Sequence, residues 1–129
     1  MKRVNISSGA KWEDIVGYSR AVKIGNIVEV SGTTAVVDGK VIGIKEAYAQ
    51  TKAVLQKIET ALKQAGATMN DVVRTRMFVT DITRWEEYSR AHSEYFKDIK
   101  PTTSIVEVKA LIDPDMLIEM EATAIISDN

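Results

Sequence analysis

The sequence predicts an α+β domain in which two helices lie on one face of a mixed β-sheet. Three observations carry this. Ala47 to Ala65 repeats apolar residues at helical spacing, and Ser104 to Leu111 and Leu117 to Ile126 alternate as strands do. The element order reads β-β-(β)-α-β-α-β-β, two helices for five or six strands. At 129 residues, 45% hydrophobic and 27% charged, the chain makes a single domain spanning residues 1–129, long enough to bury a core.

Residues 1–16 are mixed and polar and read as an extended lead-in, with Trp12 as its packing anchor. Tyr18 to Lys23 and Ile27 to Gly32 form a hairpin turned at Gly25-Asn26. Gly17 before it and Ser31-Gly32-Thr33-Thr34 after it are unusual punctuation for strand ends. A glycine there marks a bulge, a close backbone approach or a plain bend. Val36 to Val41 is a second short hairpin, because Asp38-Gly39 suits a type I′ turn. From about Lys45, residues Ala47, Thr51, Val54, Leu55, Ile58, Ala61, Leu62 and Ala65 mark one helix face, and Gly66 stands where a left-handed residue ends it.

Asp71 leads into a strand over Val72 to Thr80. Val73, Thr75, Met77 and Val79 share one side, and Arg74, Arg76, Phe78 and Thr80 the other. Thr83-Arg84-Trp85-Glu86 fits a capping box for a second helix. Its buried stripe is Trp85, Tyr88, His92, Tyr95 and Phe96, on which His92 reads as a packed core residue. Pro101 then breaks the chain into the last two strands, separated by the Asp113-Pro114-Asp115 turn.

In the first of these, Ser104, Val106, Val108 and Ala110 make a small apolar face suited to packing under a helix, opposite Thr103, Ile105, Glu107 and Lys109. In the second, Ile118, Met120, Ala122 and Ala124 oppose Glu119, Glu121 and Thr123. Carboxylates inside an apolar strand need water, a partner or a function, and alternation alone does not choose among these. Two helices cover one sheet face. The other carries Ile105, Phe78 and Ile27 among charged and hydroxyl groups, a composition that suits self-association.

Composition excludes several functions. A formal charge of −1 with no basic block argues against nucleic-acid binding. With no Cys there is no disulfide, thiolate nucleophile or cysteine metal site, and one His leaves few ordinary zinc ligands. The N-terminus lacks the apolar core of a signal peptide and no run spans a membrane, so the expectation is a cytoplasmic protein with no metal, nucleic-acid or membrane partner.

The stretches GYSRAVKIGNIVEVSGTT, AYAQTKAVLQKIETALKQAGATMNDVVRTRMFVTDI and PTTSIVEVKALIDPDMLIEMEA, taken together, resemble the reactive intermediate deaminase (Rid, or YjgF-like) family. The match runs in order from Gly17 to Ile126, with a shortened loop before Pro101. The resemblance implies a chorismate-mutase-like fold assembled as a homotrimer, with the sheets forming a central barrel and the helices outside. It implies three inter-subunit clefts for small carboxylate-bearing molecules. It further implies hydrolysis of amino-acid-derived enamines and imines, such as 2-aminoacrylate, to oxo acids and ammonia without any cofactor.

Residue by residue, Tyr18 matches the family's cleft tyrosine, Ser31-Gly32 its pocket loop, and Glu119 the glutamate that positions water. The family's carboxylate-binding arginine lies two residues after the proline of a P-A-R-S-type motif. Here Pro101-Thr102-Thr103-Ser104 puts Thr103 at that place, with Ile105 beyond it in the pocket, and Ser89 replaces a helix asparagine. A threonine hydroxyl cannot copy the bidentate grip of a guanidinium. The resemblance therefore implies either a deaminase of weak or altered activity or a non-catalytic metabolite-binding, chaperone-like or regulatory trimer. Arg76 is expected either as a substitute anion anchor or as an interface ion pair with Glu107, Glu119 or Glu121. Ribonuclease activity, also attached to the family by name, lacks a basic track and a His pair here.

Overall fold

In a computed structural model, which describes residues 1–127, eight strands and three α-helices follow one another among the described residues. They are β1 (Arg3–Ile6), α1 (Lys11–Val16), β2 (Ala21–Ile24), β3 (Ile27–Thr33), β4 (Val36–Val37), β5 (Lys40–Val41), α2 (Ala47–Gln64), β6 (Val72–Val79), α3 (Trp85–Phe96), β7 (Thr102–Glu107) and β8 (Ile118–Ile125). Six strands make one mixed sheet in the order β1-β2-β3-β8-β6-β7. Only β6 and β7 pair in parallel, and α3 supplies the crossover that parallel pairing requires. β4 and β5 form a separate hairpin whose Asp38 and Gly39 both have positive φ (52° and 79°), as a type I′ turn demands.

α2 buries Val54, Leu55, Ile58 and Leu62 in one cluster with Val28, Val30, Met120 and Ala122 of the sheet. Each such side chain contributes about 1.5–3 kcal/mol by leaving water. The helix ends at Gly66, which is left-handed (φ 83°) as its sequence position suggested. No helix among the described residues is long and apolar enough to cross a membrane.

Several expectations are corrected. The lead-in is not uniformly extended, since β1 pairs with β2 and α1 follows it. Trp12 is exposed there, whereas Glu13 is buried and accepts hydrogen bonds from the Ser7 and Ser8 hydroxyls. α3 follows a 3-10 turn over Ile82–Arg84, and its capping carboxylate belongs to Asp81, which accepts from the Thr83 backbone N–H at 3.0 Å. The Thr83 capping box does not form, and Trp85 stays exposed while Tyr88, His92 and Phe96 are buried. In β6 the register slips between Val72 and Arg74, so Val72 joins the core and Val73 is exposed.

The faces of β7 run opposite to expectation. Its register places Thr103 beside Thr75 and Ile105 beside Met77, on the helix-covered side. Ser104 and Val106 join Arg76 and Phe78 on the open face. β7 is an edge strand whose helix-facing side borders a polar spot, where the exposed Thr103 takes a hydrogen bond from Thr75 at the margin of the core. It also does not pair with β8, because β6 lies between them. Ile27, Val106 and Ile125 stay exposed on the open face beside the charged Arg76 and Glu121.

That polar spot is His92, whose Nε2 lies 2.8 Å from the Thr75 hydroxyl and whose ring packs on Phe96. Burial pushes its imidazole down from the ordinary 6.5 to about 4. The unfolded chain then takes up the proton first as pH falls, so stability is present above pH 6.5 and is lost from there toward pH 4. The total loss is about 3 kcal/mol. Urea midpoints measured from pH 7 to 5 should fall in the wild type and fall much less in His92→Gln. Parallel curves would reject this account.

Candidate functional site

The site begins with an irregularity in β3. Val30 pairs with Ala122 and Thr33 with Met120, three steps on β3 against two on β8, so Ser31 and Gly32 form a bulge. The carboxylate of Glu119 lies against this bulge. A Cβ added to Gly32 would stand 2.5 Å from Glu119 Oε2 and 2.8 Å from its Cδ. Glycine is needed here for close approach, and no larger side chain leaves Glu119 in place.

Glu119 sits on the open sheet face opposite Phe78 and is half-buried. Burial pushes its carboxyl above the usual range, the neighbouring Glu121 pushes it further, and Arg20 pulls it back. Arg20 is itself buried beneath the bulge and donates from Nη2 to the Gly32 carbonyl at 2.8 Å. The ring of Tyr18 has its centroid 5.7 Å from the Arg20 guanidinium carbon. The Ser31 hydroxyl donates to the Ser19 carbonyl at 2.6 Å. From α2, Lys57 donates to the carbonyls of Thr34 (2.8 Å) and Val36 (2.9 Å), pinning the segment that follows the bulge. An open groove of about 510 Å³ runs alongside, lined by Arg3, Asn5, Tyr18, Val22 and Ser31 among others.

Tyr18, Ser31, Gly32 and Glu119 are thus gathered at one place. Thr103, Ile105 and Ser89 are not with them. Thr103 is exposed at the sheet edge, its hydroxyl accepting from Thr75 at 2.7 Å on the helix-covered side. Ile105 packs half-buried against the core on that same side. Ser89 lies on α3, one turn before His92. Arg76 stands on the open face, 3.8 Å from Glu121, a half-exposed pair that contributes under about 1 kcal/mol in the single chain.

Arg20 and Lys57 went unforeseen. The available signals were Arg20 two residues after Tyr18, against the apolar start of β2, and Lys57 three residues after Val54 and four before Ala61, on the apolar stripe of α2. Neither residue type is commonly buried without a reason.

Residues 9–126 match the family described as Endoribonuclease L-PSP. The chain belongs to this family, which is also the YjgF, RutC or Rid family. A RutC family protein of Pyrococcus abyssi is 40% identical over 111 residues, covering 83% of this chain and 84% of that protein. The 3-aminoacrylate deaminase RutC of Acinetobacter baylyi is 34% identical over 108 residues, covering 83% and 85%. The crystal structure of a YjgF/YER057c/UK114 family member from Mycobacterium tuberculosis superimposes with a TM-score of 0.89 at 51% identity, covering 97% of this chain and all of that one. YyfA of Yersinia pestis, a Rid family protein, superimposes at 0.86 with 30% identity, covering 97% and 100%. The six-stranded sheet with α2 and α3 on one face is therefore the Rid-family fold.

Proposed function

We propose that this Rid-family chain works as a homotrimer that takes a small carboxylate-bearing metabolite into clefts between subunits. There it hydrolyses an enamine or imine to an oxo acid and ammonia without a metal or organic cofactor. One observation carries the reading: the residues matched to the family's pocket fall into two groups on opposite faces of the sheet. Tyr18, Ser31, Gly32 and Glu119 form one group, and Thr103, Ile105 and Ser89 the other. A second copy, set against the open face or edge, completes a pocket that one chain leaves in halves. Exposed Ile27, Val106 and Ile125 give that contact apolar area.

In this reading the enamine first tautomerises to the imine. Glu119, ionised, accepts a proton from water as the water oxygen attacks the imine carbon. The Tyr18 hydroxyl donates a hydrogen bond to the imine nitrogen. Glu119 passes that proton to the nitrogen to give the carbinolamine. Its carbon–nitrogen bond then breaks as the hydroxyl proton is relayed through Glu119 to the nitrogen, releasing ammonia and forming the carbonyl of the oxo acid. Thr103 offers the substrate carboxylate a single hydroxyl where a guanidinium would give two parallel bonds, so turnover is weak. Arg76 pairs with Glu121 within the assembly and does not stand in for the missing clamp.

The test uses 2-aminoacrylate generated in the cuvette. Ammonia and pyruvate should appear faster than without protein, yet hundreds-fold more slowly than with arginine-bearing relatives. Equal rates would remove Thr103 from the argument. Light scattering at micromolar concentration should return about three times the chain mass, and a monomer would overturn the two-halves reading. Thr103 also favours a second reading, a non-catalytic metabolite-binding or regulatory trimer. Calorimetric binding of small 2-oxo acids with no acceleration of ammonia release would select it.

A further inference from the structure

We propose that Arg20 is the positioning residue of this site: it shapes the Ser31–Gly32 bulge and balances the charge on Glu119 from beneath, without touching ligand. Only its catalytic meaning rests on the reading of Glu119 given above.

The burial of Arg20 is the first argument. The residue is 7% exposed, and burying a guanidinium costs several kcal/mol unless a partner compensates. Among the described residues no carboxylate comes within 4.0 Å of it. What surrounds it instead is the Gly32 carbonyl, the Tyr18 ring and the longer-range fields of Glu13 and Glu119, with Lys57 opposing. A core that needed only packing would place an apolar side chain here.

Its bonds converge on the bulge. The Arg20 carbonyl accepts from the Ser31 N–H at 3.0 Å, and its Nη2 donates to the Gly32 carbonyl. Its own N–H donates to the Ile6 carbonyl at 2.8 Å, which anchors it to β1. One residue thus holds the N–H that enters the bulge and the carbonyl that leaves it, on either side of the turn against which the Glu119 carboxylate rests. Arg20 is 7% exposed and its Nη2 is committed to the Gly32 carbonyl, so it stands as a support beneath the bulge rather than as an open carboxylate clamp.

The charges facing Glu119 can be enumerated. Its own strand brings Glu121, which opposes ionisation and is paired with Arg76 of β6. β6 otherwise presents Phe78, and β3 presents uncharged Ser31 and Gly32. Glu13 of α1 and Lys57 of α2 act on Arg20. Arg20 is left as the cation that favours the ionised form of Glu119, so its removal should move that carboxyl upward.

The experiment is a pH titration of carboxyl-¹³C-labelled glutamates in the ligand-free protein, with Glu119→Gln to assign the signal. Arg20→Gln keeps a donor for the Gly32 carbonyl but no charge, and should raise the Glu119 midpoint by about half a pH unit or more. Arg20→Lys keeps the charge and should stay near wild type. Equal midpoints in wild type and Arg20→Gln overturn the proposal. If Arg20→Gln fails to fold, the wild type decides. The Arg20 Nε–H resonance should resist solvent exchange and move with the Glu119 titration, and a rapidly exchanging or pH-insensitive signal overturns the proposal. No substrate is involved, so loss of the deaminase reading and loss of the Arg20 role give separate results.

Discussion

Glu119→Gln is expected to lower ammonia release from 2-aminoacrylate by roughly 10²–10⁴-fold, the usual contribution of a positioned general base. The amide keeps the shape beside Gly32 and discards the proton-accepting oxygen. Melting temperature should hold or rise, since burial and Glu121 disfavour the ionised carboxyl that the neutral amide replaces. Gly32→Ala should reach a similar loss by a different route: its Cβ falls 2.5 Å from Oε2, and the carboxylate must swing away. The pH profile supplies a further check. Burial and Glu121 raise the Glu119 carboxyl, so the ionised base accumulates only above the ordinary carboxylate range. Activity should therefore fall on the acid side at a pH higher than an exposed glutamate would give. Undiminished turnover in Glu119→Gln would end the assignment of Glu119 as base.

A large loss of stability is expected from Gln50→Leu. Gln50 is 0% exposed on α2, and its side-chain amide works as a two-way clamp on the chain entering β8. Nε2 donates to the Asp115 carbonyl at 2.8 Å, and Oε1 accepts from the Leu117 N–H at 2.8 Å. Leucine fills the space but takes the side-chain partner from both part-buried backbone groups, at about 0.5–1.5 kcal/mol each. A loss of roughly 1–3 kcal/mol follows, a sizeable share of a small domain's total. Urea denaturation at pH 7 measures it. The consequence extends to the site, because Leu117 is two residues from Glu119 and the clamp sets where β8 begins. Gln50→Glu retains the acceptor for Leu117 but sets an unpaired carboxylate in a fully buried place against the Asp115 carbonyl, so at pH 7 it should be at least as destabilising as leucine. A leucine variant as stable as wild type would show that these two bonds contribute nothing net.

What could be read without the fold was local in its physics. The α2 stripe from Ala47 to Ala65, its end at Gly66 and the Asp38-Gly39 turn depend on residues within four positions of one another. Spacing and turn chemistry therefore declared them. The alternation in β8 separated Glu119 and Glu121 from the core residues Ile118 and Met120 for the same reason. The glycine of Ser31-Gly32 announced a bulge or a close approach, and it is both.

By itself, then, the sequence determined the α+β class, the α2 face and the turns through periods and short motifs, while the grouping of Tyr18, Ser31, Gly32 and Glu119 followed from the family resemblance. Only the tertiary structure decided which face of β7 is covered. Alternation says that Thr103 and Ile105 share a face, but their register against Thr75 and Met77 of β6 and the seat of His92 above Thr75 choose the side. It likewise decided that Thr103 stands apart from Glu119, and that Arg20 lies buried under Gly32 with Lys57 nearby. These outcomes depend on pairings between residues 12 to 37 positions apart. Long-range burial and charge, which no local pattern encodes, set the chemistry of the site.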